Sequence, residues 1–219
     1  MGINHTIGLR PVLAGGRDVK VELAVKRAID LIGAGGLLVV ISPLLALIAL
    51  GVKLSSPGPL FYTCHWVGQD GRRFSGWKFR TMVANADAME AELKDRNEMT
   101  GPAFKMTNDP RVTPLGRFLR KHSLDELPQL WNVVKGDLSL VGPRPPREHE
   151  FAQFTDFQKQ KLAVQPGLTC LWQVEGRHRI SDYDRWVEMD LDYIRRWSLW
   201  LDLQILAKTA LVVLKGTGV

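Results

Sequence analysis

Two adjacent carboxylates, Asp125 and Glu126, open a short helical stretch that ends at Gly136, and Arg144 follows between two prolines. A carboxylate can attack phosphorus and form a covalent acyl phosphate. Phosphate charge would repel that attack unless cations or a divalent metal neutralise it. Arg111, Arg117, Arg120 and Lys121 crowd the approach to the pair. Two carboxylates among so many cations point to metal-assisted phosphate chemistry. Taken alone, the pair has a simpler reading as a helix cap, because acidic residues are common in first turns.

The start of this helix has two readings. Ser123 with Glu126 three residues on fits a capping box. Asp125 as the cap instead places Pro128, which has no N–H, within the first turn, where N–H groups lack an internal partner. The second reading is preferred. In both, outward N–H groups and the helix dipole favour anions at this end. Lys78 and Arg80 lie two apart, so a strand would turn both to one face. That face either meets phosphate or is simply solvated.

The bulk properties suit such a site. The chain has 219 residues, enough for one domain with a real core. A net charge of +6 and a pI near 9.5 call for an anionic partner. The basic residues are dispersed and form no known nucleic-acid motif, so nucleic acid is not that partner. Cys64 and Cys170 are far apart, which argues against a disulfide framework or a zinc site. The five histidines show no ligand spacing. No Walker A, G-x-G-x-x-G or H-E-x-x-H motif occurs, and no repeat.

Residues Met1 to Lys20 are basic and without periodicity, which predicts a loose arm. A helical pattern starts at Val21. No charge interrupts residues 31–52, a run of roughly 22 residues that is long enough to cross a bilayer. It is too long for a signal-peptide core; a core helix of a soluble protein is the alternative. Lys and Arg precede the run, which keeps the N-terminus cytoplasmic by the positive-inside rule. A straight span would put the basic remainder outside, away from nucleotides. A helix that breaks at Ser42-Pro43 and returns to the same face removes the conflict.

Beyond a turn cluster at 55–59, Leu60 to Val67 and Arg73 to Phe79 read as a β-hairpin turning at Asp70-Gly71. Met82 to Met99 reads as a polar helix. Thr113 caps a helix with Pro114 at its first position. Arg147 to Lys161 is helical, and a turn at 165–169 leads into a short strand at Leu171 to Val174. Gly176-Arg177 follows, and Ser181 caps another helix. The tail from Trp197 to Val213 is apolar but interrupted. It suits a helix in the headgroup layer or one packed on the core.

Several of these stretches carry a specific resemblance. Residues 123–130, Gly136-Asp137-Leu138-Ser139 and Val141-Gly142-Pro143-Arg144-Pro145 resemble the bacterial sugar transferase family, the monotopic polyprenyl-phosphate phosphoglycosyl transferases. Lys78 to Met82, Asp109-Pro110-Arg111 and Pro166-Gly167-Leu168-Thr169 match further blocks, and the run around Ser42-Pro43 matches the family's membrane anchor. The resemblance covers about residues 20 to 219. Without the multi-span N-terminal region of longer relatives, the chain is similar to the minimal catalytic form, of exopolysaccharide starter type.

The resemblance implies a fold and a reaction. The fold class is α+β, mostly helical. It has a broken re-entrant membrane helix (21–54) after the arm (1–20), a small hairpin, and a compact catalytic head (55–219) with amphipathic interfacial helices. The reaction moves a sugar 1-phosphate from a UDP-sugar to undecaprenyl phosphate and releases UMP. Asp125 is the implied nucleophile and a ligand of Mg2+, and Glu126 assists proton transfer or metal binding. Arg144 holds a phosphate, with Arg111, Lys78 and Arg80 as weaker carry-overs. The implied place is the bacterial inner membrane, head on the cytoplasmic face, in contact with membrane lipids; a homo-oligomer is compatible with it. Glucose and galactose are the implied sugars. The chain departs from the family at Cys170, where glycine is common, and at Glu175, where serine is. The rival readings are a nucleotide-sugar hydrolase and a non-catalytic module binding anionic lipid or a partner.

Overall fold

The computed structural model describes residues 17–175 and 180–216. Helix α1 (Arg17–Val40) and helix α2 (Ser42–Ser55) form a pair bent by 61° at the expected break. Pro43 falls in the first turn of α2, where its missing N–H costs no helical hydrogen bond. The Ser42 hydroxyl donates to the Val39 carbonyl at 2.8 Å and takes up one oxygen freed by the break. No single helix among the described residues is long and apolar enough to cross a membrane, but the bent pair passes that test together. Helix α1 begins at Arg17, so the arm expected over residues 1–20 is shorter by its last four residues; residues 1–16 lie outside the described part.

Strands β1 (Phe61–Val67) and β2 (Arg73–Phe79) pair antiparallel, with Cys64 opposite Gly76 and Tyr62 opposite Lys78. Asp70 and Gly71 both take positive φ, 54° and 81°, as the Asp-Gly turn predicted. The polar stretch beyond it forms a shorter helix than expected, α3 (Ala86–Leu93), followed by one 3₁₀ turn. Helix α4 (Pro114–Lys121) is capped as read: Thr113 Oγ1 accepts from the Gly116 N–H at 3.0 Å. A 3₁₀ turn (Leu124–Gln129) runs into helix α5 (Leu130–Lys135).

Strand β3 (Ser139–Val141) pairs in parallel with β4 (Gly167–Thr169). Between them, the helix expected over 147–161 is broken into α6 (Glu148–Phe151) and α7 (Asp156–Lys159). Thr155 interrupts it by capping α7 with a reciprocal Gln158 contact. The strand expected at 171–174 is instead helix α8 (Leu171–Glu175). The extended segment lies just before it, where β4 finds a partner in β3; strand propensity gave way to tertiary pairing. Helix α9 (Tyr183–Arg196) is capped by Asp182, one residue later than expected, since its carboxylate accepts from the Asp184 N–H. Gly176-Arg177 lies outside the described residues.

Helix α10 (Leu199–Lys215) combines both readings of the tail. Ile205 and Asp202 pack inward, while Trp200, Leu203, Leu211 and Leu214 remain exposed. The largest core cluster lies under α9 and includes Trp186, Val187, Leu191 and Ile194. A buried Lys161–Asp190 pair at 2.5 Å holds the 3₁₀ turn after α7 to α9. Two smaller clusters involve the bent pair. Ala34 of α1 meets Leu130, Val133 and Leu138; Ile48 and Val52 of α2 meet Phe79 and Leu119.

The hairpin lies against α5 at Gly76. A Cβ there would stand 2.5 Å from Asn132 Oδ1 and 2.6 Å from Trp66. Gly76→Ala therefore pries the hairpin from α5. Denaturant unfolding in micelles should show a loss of about 1–3 kcal/mol, typical of overpacking. An unchanged midpoint would mean that the two surfaces separate freely.

Candidate active site

The 3₁₀ turn Leu124–Gln129 is the entry to the site. Ser123 sits at its N-cap position in the left-handed region, φ 52°, so the cap is Ser123 and not the preferred Asp125. The reason is local: the turn tightens to 3₁₀ geometry, with the Glu126 N–H reaching the Ser123 carbonyl at 3.3 Å. Asp125 becomes the second residue of the turn and is only 7% exposed. Helix α5 then ends as expected at Gly136, whose φ of 88° gives the left-handed stop.

Asp125 and Glu126 line a cleft of about 410 Å³ between the hairpin, α4 and the 144–150 segment. Two contacts fix the pair relative to the hairpin. Asn132 Nδ2 donates to the Ser75 carbonyl at 2.8 Å, and Lys78 Nζ pairs with Glu126 at 2.5 Å. Gly76 permits the close approach that both require.

Seven lysines and arginines line the cleft: Lys78, Arg80, Lys105, Arg111, Arg120, Arg144 and Arg147. Their partners divide them. Lys78 holds Glu126. Arg80 donates to the carbonyls of Val52, Ser56 and Pro59, tying the exit of α2 to the end of β2. Arg111 is 3% exposed, forks onto both oxygens of Asp109 and reaches Glu90 at 3.0 Å. Arg120, Arg144 and Arg147 form no ion pair among the described residues. Arg120 Nε donates to Thr81 Oγ1 at 2.9 Å. Burial works against its charge and lowers its pKa, with the Asp125 and Asp109 carboxylates opposing that shift.

Arg144 rests on an aromatic stack. Its guanidinium carbon lies 5.9 Å from the Trp172 ring centre, and Trp172 stacks on Trp186 at 4.2 Å with planes 6° apart. Burial disfavours the Arg144 cation, but Glu126 and Glu150 outweigh it and raise its pKa. Arg147 has its backbone fixed: its N–H donates to Glu150 at 2.9 Å, and it bridges to Trp66 of β1. The helical sequence pattern makes Arg147 a helix start and does not mark it as a cleft residue. Its signal was available: Pro145-Pro146 keeps the chain extended and sets Arg147 three residues beyond Arg144. The Trp172–Trp186 wall left no such signal, since its partners are distant in sequence.

Other nucleophiles are disfavoured. Burial raises the Cys64 thiol pKa despite Lys78 beside it, and burial raises that of Cys170 further. Neither has the lowered pKa of a reactive thiol. No group of three or more His, Cys, Asp or Glu side chains that could hold a metal occurs among the described residues. Magnesium nonetheless suits one or two carboxylates completed by substrate phosphates, and Asp125 and Glu126 meet that description.

The cleft thus gathers a pair of carboxylates and several basic side chains in one place. The chain belongs to the bacterial sugar transferase family, whose pattern matches residues 21–216. It is 44% identical over 198 residues to "Galactosyl transferase CpsE" of Streptococcus agalactiae serotype III, covering 90% of this chain and 44% of that protein. It is 44% identical over 198 residues to "Undecaprenyl-phosphate galactose phosphotransferase" of Salmonella typhimurium, covering 88% and 41%. It is 42% identical over 197 residues to "Exopolysaccharide production protein ExoY" of Rhizobium meliloti, covering 88% and 87%. The chain thus spans less than half of the first two relatives and most of the third.

The Asp109–Arg111 fork gives a pH prediction. Burial pushes the Asp109 carboxyl up, but hydrogen bonds and charge from Arg111 outweigh it and hold the pKa below the usual range. A carboxylate with a depressed folded pKa stabilises the fold above its unfolded pKa of about 3.9, and that contribution fades as pH falls through the folded value. Asp109→Asn should therefore cost on the order of 3 kcal/mol at neutral pH, as for a broken buried pair. The gap from wild type should narrow below about pH 4. A gap that stays constant with pH would show that the charge is not the cause.

Proposed function

We propose that this protein transfers a sugar 1-phosphate from a UDP-sugar to undecaprenyl phosphate. The products are undecaprenyl-diphosphate-sugar and UMP. Asp125, buried in a cleft lined also by Arg120, Arg144 and Arg147, which form no ion pair among the described residues, is the observation that carries this reading. The names of the relatives support the substrate class: one is called undecaprenyl-phosphate galactose phosphotransferase, another UDP-glucose:undecaprenyl-phosphate glucose-1-phosphate transferase.

A carboxylate oxygen of Asp125 attacks the sugar-bearing phosphorus. The bond from that phosphorus to the oxygen bridging the two phosphates breaks, and UMP leaves with the electron pair. The sugar phosphate remains on Asp125 as an acyl phosphate. An oxygen of the lipid phosphate then attacks the same phosphorus and expels the carboxylate. Arg144, oriented by the Trp172–Trp186 stack, holds a phosphate of the donor, with Arg120 and Arg147 beside it. Lys78 and Arg111 act through Glu126 and Asp109, and Arg80 secures the cleft wall. Glu126 moves a proton when Lys78 releases it. Magnesium, held by Asp125 with Glu126 and the substrate phosphates, would neutralise phosphate charge.

The bent α1–α2 pair enters and leaves the cytoplasmic leaflet of the inner membrane as a re-entrant anchor. The exposed apolar side of α10 lies in the headgroup layer. This puts the head (55–219) at the lipid carrier's phosphate and at the cytosolic nucleotide sugar. The pathway is the first membrane step of exopolysaccharide or related surface glycan assembly.

UMP release from a panel of UDP-sugars, with and without undecaprenyl phosphate, tests the proposal. Acceptor-dependent release is expected with one or a few sugars, and Asp125→Asn should lower it by about a thousandfold or more. Arg144→Gln should raise KM for the donor about tenfold or more, as loss of a charge-assisted contact does. Sustained turnover without the lipid would identify a hydrolase instead. Undiminished release in Asp125→Asn would rule out Asp125 as the nucleophile, and no release with any sugar would favour a binding module.

A further inference from the structure

Helix α1 carries Lys26, Arg27 and Asp30 just before its apolar run, and each side chain reaches the head. Lys26 Nζ donates to the Val141 carbonyl at 2.9 Å and pairs with Asp202 at 2.5 Å. Asp30 accepts from the Leu140 N–H at 2.9 Å. Arg27 is different in kind. Its Nη1 donates to the Val133 carbonyl at 2.7 Å and its Nη2 to the Val134 carbonyl at 2.9 Å. Those oxygens lie in the last turn of α5, the helix whose entry turn carries Asp125 and Glu126. The last carbonyls of a helix have no internal partners, and its C-terminus carries partial negative charge. Arg27 supplies both the donors and the positive charge, and its guanidinium packs over Gly136, the stop of that helix.

We infer that Arg27 is a positioning residue: the broken-helix anchor holds the far end of the helix that presents Asp125, and so sets the pose of the nucleophile. Helix α5 is only 6 residues long, too short to hold itself without tertiary support. Asn132 ties it to the hairpin, Lys78 ties its entry turn there, and Arg27 ties it to α1. Removing Arg27 frees the C-terminal turn, and α5 and its entry turn loosen together. The effect on catalysis rests on the proposed transferase reading; the effect on the helix does not.

The test uses the full chain in lipid nanodiscs, as wild type, Arg27→Gln and Arg27→Lys. Amide exchange over residues 124–137 should rise several-fold in Arg27→Gln, while exchange over the hairpin 61–79 stays within about twofold. Arg27→Lys should recover part of the protection, because a lysine keeps the charge but not the two-pronged contact. Where wild type turns over, kcat per titrated active site should fall about tenfold in Arg27→Gln with KM within about twofold. Unchanged exchange over 124–137, or a uniform rise along the chain, would overturn the inference. So would an unchanged kcat per active site. Wild type without turnover but with the local exchange change would count against the transferase reading and leave the clamp standing.

Discussion

Charge pairing inside one cleft is the constraint on which the rest of the structure depends. Seven lysines and arginines and the Asp125–Glu126 pair share a space of about 410 Å³. If every cation turned to the nearest carboxylate, little would remain for a phosphate substrate. The fold avoids this by giving some cations fixed partners of their own. Asp109 and Glu90 hold Arg111, backbone carbonyls hold Arg80, and Glu126 holds Lys78. Arg120, Arg144 and Arg147 are held by a hydroxyl, an aromatic stack and a backbone bridge, and form no ion pair among the described residues. The proposed anionic substrate would relieve mutual repulsion among them.

That arrangement requires three separate parts of the chain to meet. The hairpin brings Lys78, the 124–135 segment brings the carboxylates, and the Pro-Arg-Pro-Pro-Arg loop brings Arg144 and Arg147. Each part is small and none would be stable alone. The bent helix pair supplies what they lack: apolar contacts from Ala34 to α5, and from Val52 to β2 and α4. Its polar residues reach Val133, Leu140 and Val141. The same pair, proposed above as the anchor, is thus also a wall of the head's packing.

Local chemistry made much of this legible in the sequence. The Asp-Gly turn requires positive φ, Thr113-Pro114 is a helix start, and Gly136 is a helix stop; all three depend on residues within one turn of themselves. The Ser42-Pro43 break is likewise local. What the sequence hid depends on partners far along the chain. Leu171 to Val174 has strand composition, yet the strand forms one step earlier, where β3 lies alongside. The partners of Arg111 and Arg80, Glu90 and the carbonyls near Ser56, are visible only in three dimensions. The Trp172–Trp186 stack beneath Arg144 is of the same kind, and so is the reach of Arg27 to α5.

The central claim is that Asp125 carries the sugar phosphate. Intact-protein and peptide mass measurement after incubation with the accepted UDP-sugar and magnesium, with no lipid acceptor, tests it most directly. The account predicts a hexose phosphate adduct on Asp125 that disappears when undecaprenyl phosphate is added. Acceptor-dependent UMP release with no adduct, or an adduct on another residue, would contradict it.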